Sequence, residues 1–188
     1  MKGLNLFIKY ICWEFDNKGQ IDREKESGRV IHPEAIHINN ICNDKVLNLP
    51  KDFKEYFVLE ESYYIQGNFK NSLPHLFLFK ENEEGDVVLI SYEIPKNIKK
   101  EDFKYNNNDL IMDYNDLELS KKFTPLVYKY KNNVFSGESL SYFSPVLKFH
   151  LKETLGENNI IVSENFYKDG VRTFGFDEPI IYNRKNSN

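Results

Sequence analysis

Hydrophobic positions along this chain change their spacing once, near residue 28. Before it, Leu4, Phe7, Ile8 and Ile11 recur at intervals of three and four, the spacing of one helical face. Residues 4–13 are therefore predicted to form an amphipathic helix. Asp16-Asn17-Lys18-Gly19 breaks it, because Asn and Gly favour turns. The charged stretch 20–28 is predicted to be a second short helix that Gly28 stops.

Beyond that point the apolar period shortens to that of a strand. Residues 30–43 alternate loosely through Ile36, Ile38 and the offset Ile41, and 56–65 is dense in aromatic and β-branched residues. Segments 73–80 and 87–94 flank the polar turn 81–86, which predicts a hairpin ended by Pro95. Residues 96–122 are polar, with a weak helical pattern over 109–122 from Leu110, Leu117 and Leu119. Strands are predicted again over 124–131, 133–136, 145–153, 159–167, 171–176 and 179–183, and Asp169-Gly170 is a strong hairpin signal. The tail beyond Arg184 is expected to fray. A succession of short antiparallel strands after a helical lead-in predicts a closed β-barrel in one unit spanning 1–188. A barrel of about eight strands is wide enough to hold one small ligand.

Composition narrows the picture. Of 188 residues, 15% are aromatic, which suits strands, ordinary core packing and a flat conjugated ligand alike. The net charge is −4 and no dense Lys/Arg run occurs, so nucleic acid is not an expected partner. Cys12 and Cys42 are the two cysteines; outside any Cys-x-x-Cys pair, they read as small core residues in a reducing compartment. No apolar run approaches a membrane span, and no signal peptide is expected.

Candidate chemistry is sparse. There is no Gly-x-Ser-x-Gly elbow and no glycine-rich phosphate loop. His32 and His37, five positions apart, would face opposite sides of a continuous strand, so no metal site is expected. Glu60 and Glu61 are adjacent on one predicted strand, so one points inward. An inward glutamate could donate a proton or pair with a cationic ligand; from the residues alone, a salt bridge or a place at the barrel mouth is the plainer reading. Arg172 and Arg184 flank the last hairpin, and Lys129, Lys131, Lys148 and Lys152 lie on neighbouring strands. Carboxylates of a ligand could use these cations, and a solvated outer face is the plainer reading.

Several ordered stretches carry a resemblance. "WEFDNKGQ" at 13–20 is similar to a G-[DE]-F-x-N-x-x-Q opening, through Glu14, Phe15, Asn17 and Gln20. "YFVLEESYY" at 56–64 is similar to a Y-x-E-Q-x-Y strand, with Glu60 and Tyr63 matching and Glu61 in place of Gln. "NNVFSG" at 132–137 resembles an N-x-F-x-G turn. "DGVRTFGFDEPIIYNR" at 169–184 resembles a G-x-x-x-W-G-x-x-x-G-P-[FY]-x-F close, matching at Gly175 and Pro179, with Phe174 for Trp and Tyr182 for Phe. In this order and over nearly the whole chain, the set resembles the T-type phycobiliprotein chromophore lyases, the CpcT/CpeT family.

The resemblance implies a lipocalin-like (calycin) antiparallel barrel that binds a phycobilin, phycoerythrobilin or phycocyanobilin, as substrate. It implies delivery of that open-chain tetrapyrrole to a cysteine of a phycobiliprotein subunit, with a homodimer as the expected assembly. It places the protein in the cytoplasm of a cyanobacterium, in a cell infected by a cyanobacterial virus, or in an algal plastid stroma. By this resemblance Glu60 is the acid facing the pyrroles. Tyr63, His75, Phe77, Phe174 and Tyr182 are pocket-wall candidates, and Arg172 or Arg184 would hold a propionate. Two departures bear on activity. Where the family has P-Y-R-x-R, this chain has Pro74-His75-Leu76-Phe77-Leu78, and no cysteine occurs between Ser139 and His150. Alternatives are a bilin chaperone or carrier without transferase activity, a barrel for another hydrophobic ligand, and a barrel filled by its own Phe and Tyr.

Overall fold

The computed structural model describes residues 2–67 and 69–185. Two helices, α1 (Lys2–Ile11) and α2 (Lys18–Glu26), flank a three-residue strand, β1 (Glu14–Asp16). The other strands are β2 (Glu34–Ile41), β3 (Val46–Leu47), β4 (Tyr56–Gln66), β5 (Phe69–Glu81), β6 (Val87–Tyr92), β7 (Met112–Asp113) and β8 (Leu126–Lys131). They continue with β9 (Val134–Tyr142), β10 (Leu147–Leu155), β11 (Asn159–Lys168), β12 (Val171–Phe174) and β13 (Ile180–Arg184). The sheet runs β10-β9-β8-β6-β5-β4-β2-β1-β13-β11, and β11 pairs back onto β10. Ten antiparallel strands thus close a ring, the lipocalin-like barrel with an N-terminal helix that the sequence predicts. Closure leaves no open edge among these ten. Strand β12 pairs only with β11 and projects from the ring.

Helix α1 plugs one end. Its apolar stripe is buried as predicted, with Leu4, Phe7, Ile8 and Ile11 all inside. Phe7 meets Phe79, Tyr128 and Phe135 at ring-centroid distances of 4.9, 4.7 and 5.1 Å. A ten-residue helix is marginal alone, and this aromatic seat is what stabilises it.

Several sequence expectations need correction. Of Asp16-Asn17-Lys18-Gly19, expected as a turn, Lys18 and Gly19 already belong to α2, and residues 14–16 form β1. It pairs with β2 on one side and β13 on the other. Residues 109–122 are not an α-helix: they contain β7 and one 3-10 turn, Tyr114–Asp116. Leu110 and Met112 cover the outer face of β4 and β5, where they join Phe57, Leu59, Leu76, Leu78 and Phe103 in a second buried cluster. A segment laid over a curved sheet follows no helical period, so its spacing misled. Strand β9 runs on to Tyr142 past the predicted end at 136, and β5 begins at Phe69. The expected frayed tail lies, past Lys185, outside the described residues. Among the described residues no helix is long and apolar enough to cross a membrane.

The residues of the opening stretch act as buried clamps. Asn17 donates from Nδ2 to the Pro33 carbonyl (2.8 Å) and accepts from the Ala35 amide (2.8 Å), which fixes the start of β2. Gln20 donates to the Pro179 carbonyl (3.1 Å) and accepts from the Ile181 amide (2.8 Å), which fixes β13. Phe15, close by in β1, is fully buried. Gly175 is equally constrained: its φ is +111°, and a Cβ there would lie 2.4 Å from the Glu164 carbonyl oxygen. Replacing Asn17 with Ala leaves two buried backbone groups without partners. We expect Asn17→Ala to lower unfolding stability by about 2–4 kcal/mol in urea titration; a loss below about 0.5 kcal/mol would refute the clamp.

Candidate functional site

Side chains on a strand alternate between faces. On β4 this turns Glu60, Ser62 and Tyr64 into the barrel and Glu61 and Tyr63 out of it. The interior holds a cavity of about 530 Å³, within the usual range of small-molecule sites. The barrel is therefore not filled by its own side chains. Helix α1 closes the cavity at Ile11, and Phe123, Phe166, Phe174 and Phe176 form its aromatic rim.

The polar content of this cavity is uneven. Glu60, Glu153 and Glu164 line it, as do His37, His75 and Asn39, while no lysine or arginine does so among the described residues. Glu60 accepts from the Ser62 hydroxyl at 2.9 Å, and its other oxygen lies 3.7 Å from Nδ1 of His37. Register places Glu60 beside Asn39 of β2 and His75 of β5. The Tyr128 hydroxyl donates to Glu153, and the Tyr64 hydroxyl reaches Glu164 at 3.5 Å.

Burial sets the protonation of this cluster. Desolvation, with Glu60 and Glu164 adding to it, raises Glu153 to about 8, against the pull of the Tyr128 hydrogen bond. Desolvation and Glu60 raise Glu164 to about 7. Both imidazoles move down, chiefly by desolvation, so His37 and His75 are neutral at physiological pH. The interior is thus an apolar, aromatic space furnished with carboxyl groups and neutral imidazoles. It can accept hydrogen bonds from a ligand and balance a positive charge on it, and among the described residues it offers no lysine or arginine to an anionic one.

Of the residues singled out from sequence, Glu60, His75, Phe77 and Phe174 line the cavity. Phe174 sits at the rim and is 53% exposed. Tyr182 points inward but lies behind the wall, its ring 4.3 Å from that of His37, which it supports. Three placements are corrected. Tyr63 is on the outer face, where its hydroxyl donates to Glu61 (2.6 Å); Glu61 also accepts from the Tyr105 amide and so anchors the outer layer. Arg172 is on β12, outside the ring, paired with Asp177 at 2.6 Å. Arg184 stacks on Trp13 and donates to the carbonyls of Lys9 and Tyr10, capping the C-terminus of α1. Neither arginine reaches the cavity.

Sequence reasoning missed His37, Asn39, Glu153 and Glu164 as site residues. A signal existed for the acids. In β10, Phe149, Leu151 and Glu153 share a face, and in β11, Val162, Glu164 and Phe166 do. An acid in step with an apolar inward series marks a buried carboxyl. Cys42 is buried and Cys12 half-buried; neither lines the cavity, and burial pushes both thiols up to about 12. Among the described residues no three His, Cys, Asp or Glu side chains converge to hold a metal ion.

Fold and site together define a lipocalin-like barrel with an internal cavity lined by aromatic side chains, carboxyls and imidazoles. No protein-family model matches the sequence, and no curated protein does so either.

A carboxyl with a raised folded pKa keeps its proton in the native state after the unfolded chain has lost it. Stability therefore falls as pH rises toward the folded value. The depressed histidines act in the opposite sense, but only below their ordinary value of 6.5. Between pH 6.5 and 8 the Glu153 and Glu164 contribution stands alone among the resolved shifts. We expect urea stability to drop over that interval and Glu153→Gln to flatten the drop. A rise with pH, or an unchanged slope in the variant, would contradict the buried-acid assignment.

Proposed function

We propose that this protein binds an open-chain tetrapyrrole, a phycobilin, in the barrel and delivers it to a cysteine of a phycobiliprotein subunit, as a T-type lyase does. The observation that carries the reading is the inward Glu60 between Asn39 and His75 in an aromatic cavity that no lysine or arginine lines among the described residues. A tetrapyrrole is a conjugated apolar frame with a row of pyrrole N–H donors. Such donors fit an interior rich in carboxyl oxygens, and Glu60 would favour the protonated, electrophilic chromophore. The propionates find no cation inside and would extend past the rim into water.

The cavity holds the flexible chromophore in one conformation and excludes water from it. The acceptor thiolate adds to the double bond of the A-ring side chain: a C–S bond forms, the π bond breaks, and the chromophore takes up one proton. In this reading Glu60 holds that proton near the pyrroles. Since neither cysteine lines the cavity, the bound bilin stays non-covalent and free to leave with its acceptor.

A second reading, a bilin carrier without transferase activity, is favoured by the lack of any interior arginine or lysine, among the described residues, to fix the propionates. A homodimer and a cyanobacterial, viral or plastid setting belong to the same proposal through the sequence resemblance.

Co-expression with a phycobilin-producing pathway, with and without a phycobiliprotein subunit, separates the readings. The expected result is a coloured complex of this chain and covalent colour on the subunit when it is present. Colour that never transfers supports the carrier, and an uncoloured chain removes both. Glu60→Gln should shift the absorption band of the bound bilin to shorter wavelength; an unchanged spectrum would remove the proton-holding role.

A further inference from the structure

Helix α1 closes one end of the cavity, so whatever receives a ligand from it must approach the aromatic rim at the other end. The outer surface beside that rim is built by β9, β10, β11 and β12 in register. Tyr142 stands opposite Lys148, Lys148 opposite Tyr167, and Tyr167 opposite Arg172. Directly opposed residues of an antiparallel pair share a face. Phe149 and Phe166, next to Lys148 and Tyr167 along their strands, line the cavity, so the row lies on the outer face. The register of β11 and β12 shifts between Phe166 and Tyr167, which sets Phe174 opposite inward Phe166 and Arg172 opposite outward Tyr167.

The row alternates aromatic rings with cations. The Lys148 ammonium lies 5.4 Å from the centre of the Tyr142 ring. Exposed apolar side chains sit beside it on two turns. Val171 is 67% exposed, the most of any large apolar residue described, and Val146 and Phe174 are exposed with it. The Asp169 amide donates to the Val146 carbonyl at 3.0 Å, so the two turns move as one. Lys168 on the same hairpin, and Lys121 and Lys122 before the rim residue Phe123, are exposed as well. The acids at this end, Asp169, Asp177 and Glu178, flank the row, and none stands in it. A grouped apolar patch mixed with cations marks an interaction surface, and on a chain of net charge −4 it favours an acidic partner. Tyrosine and arginine anchor protein interfaces. Rings and cations held in register across four strands fit the fixed carboxylates of a folded partner better than a fluid bilayer.

We propose that this face docks an acidic protein partner. Carboxylates of the partner meet Lys148 and Arg172, and its apolar contacts cover Tyr142, Tyr167 and Val171. Arg172 exchanges its exposed partner Asp177 for one of them, at little cost. On the delivery reading above, on which this rests, that partner is the acceptor subunit. Docked here, its cysteine stands at the rim through which the bilin leaves.

The test loads the full chain with phycocyanobilin, followed by absorbance, and measures binding of a colourless phycobiliprotein subunit by surface plasmon resonance. The patch variant carries Lys148→Glu and Arg172→Glu. The control carries Lys129→Glu and Lys131→Glu, the same charge change on β8. The patch variant should bind the subunit about tenfold or more weakly, and its bilin affinity should stay within about twofold of wild type, because neither residue lines the cavity. The control should lose no more than about twofold in subunit affinity. Association of the wild type should slow as salt rises. Unchanged subunit affinity in the patch variant, or an equal loss in the control, overturns the docking face and spares the bilin reading. Two further results with unchanged subunit affinity overturn it too: anionic phospholipid vesicles that bind wild type and not the patch variant, which gives the face to a membrane, and a dimer that only the patch variant dissolves, which gives it to a second copy. A wild type that takes up bilin and binds no subunit overturns the face and leaves the carrier reading. Patch-dependent subunit binding by a chain that takes up no bilin upholds the face and overturns the bilin reading. A wild type that binds neither overturns both.

Discussion

Closure of the ring rests on three residues. Glu14–Asp16 fill the space between β2 and β13, with three register pairs to one and two to the other. So short a strand cannot hold a barrel shut by its own ladder. Three side chains in and just beyond it do the holding: Asn17 bound to the start of β2, Gln20 bound to β13, and the buried ring of Phe15. With this seam closed, β2 and β13 face one cavity. His37 then packs on Tyr182, and the inward carboxyls share one low-dielectric space.

That space explains the division of labour among the charged residues. Every lysine and arginine considered as a partner for a ligand's carboxylates lies outside the cavity. Two of the inward acids, Glu153 and Glu164, are tolerated because burial raises them toward neutrality, and hydroxyls of Tyr128 and Tyr64 reach them. A buried guanidinium has no such route, since it does not lose its proton in a protein. An interior of carboxyls and imidazoles is therefore far less costly than one with arginines, and it selects ligands of the opposite hydrogen-bonding character.

Much of the fold was legible because its signals are local. The α1 stripe, the hairpin at 73–94 and the Asp169-Gly170 turn each follow from a few neighbouring residues. Glu60 was legible by parity, because its strand is long and regular. Parity also explains why Tyr63 does not reach the cavity: a residue three positions from an inward one faces out. The role of Arg184 was not legible: capping α1 depends on the pairing of β1 with β13, which no local pattern records. His37 and Asn39 were hidden for a related reason. Polar residues in a loosely alternating strand look like its wet face until the strand is seen to lie inside a ring.

The pairing of positions 15 and 184 also fixes when the cavity comes into being. Its two rims are brought together by segments at opposite ends of the described chain, so almost every other strand must be in place first. Contacts this distant in sequence are slow to form. During synthesis the nascent sheet stays open, with Phe149, Phe166 and the inward acids in water, until the segment around residue 184 has emerged. Formation of the interior is then tied to the emergence of β13: a chain stopped before it would have walls and no interior.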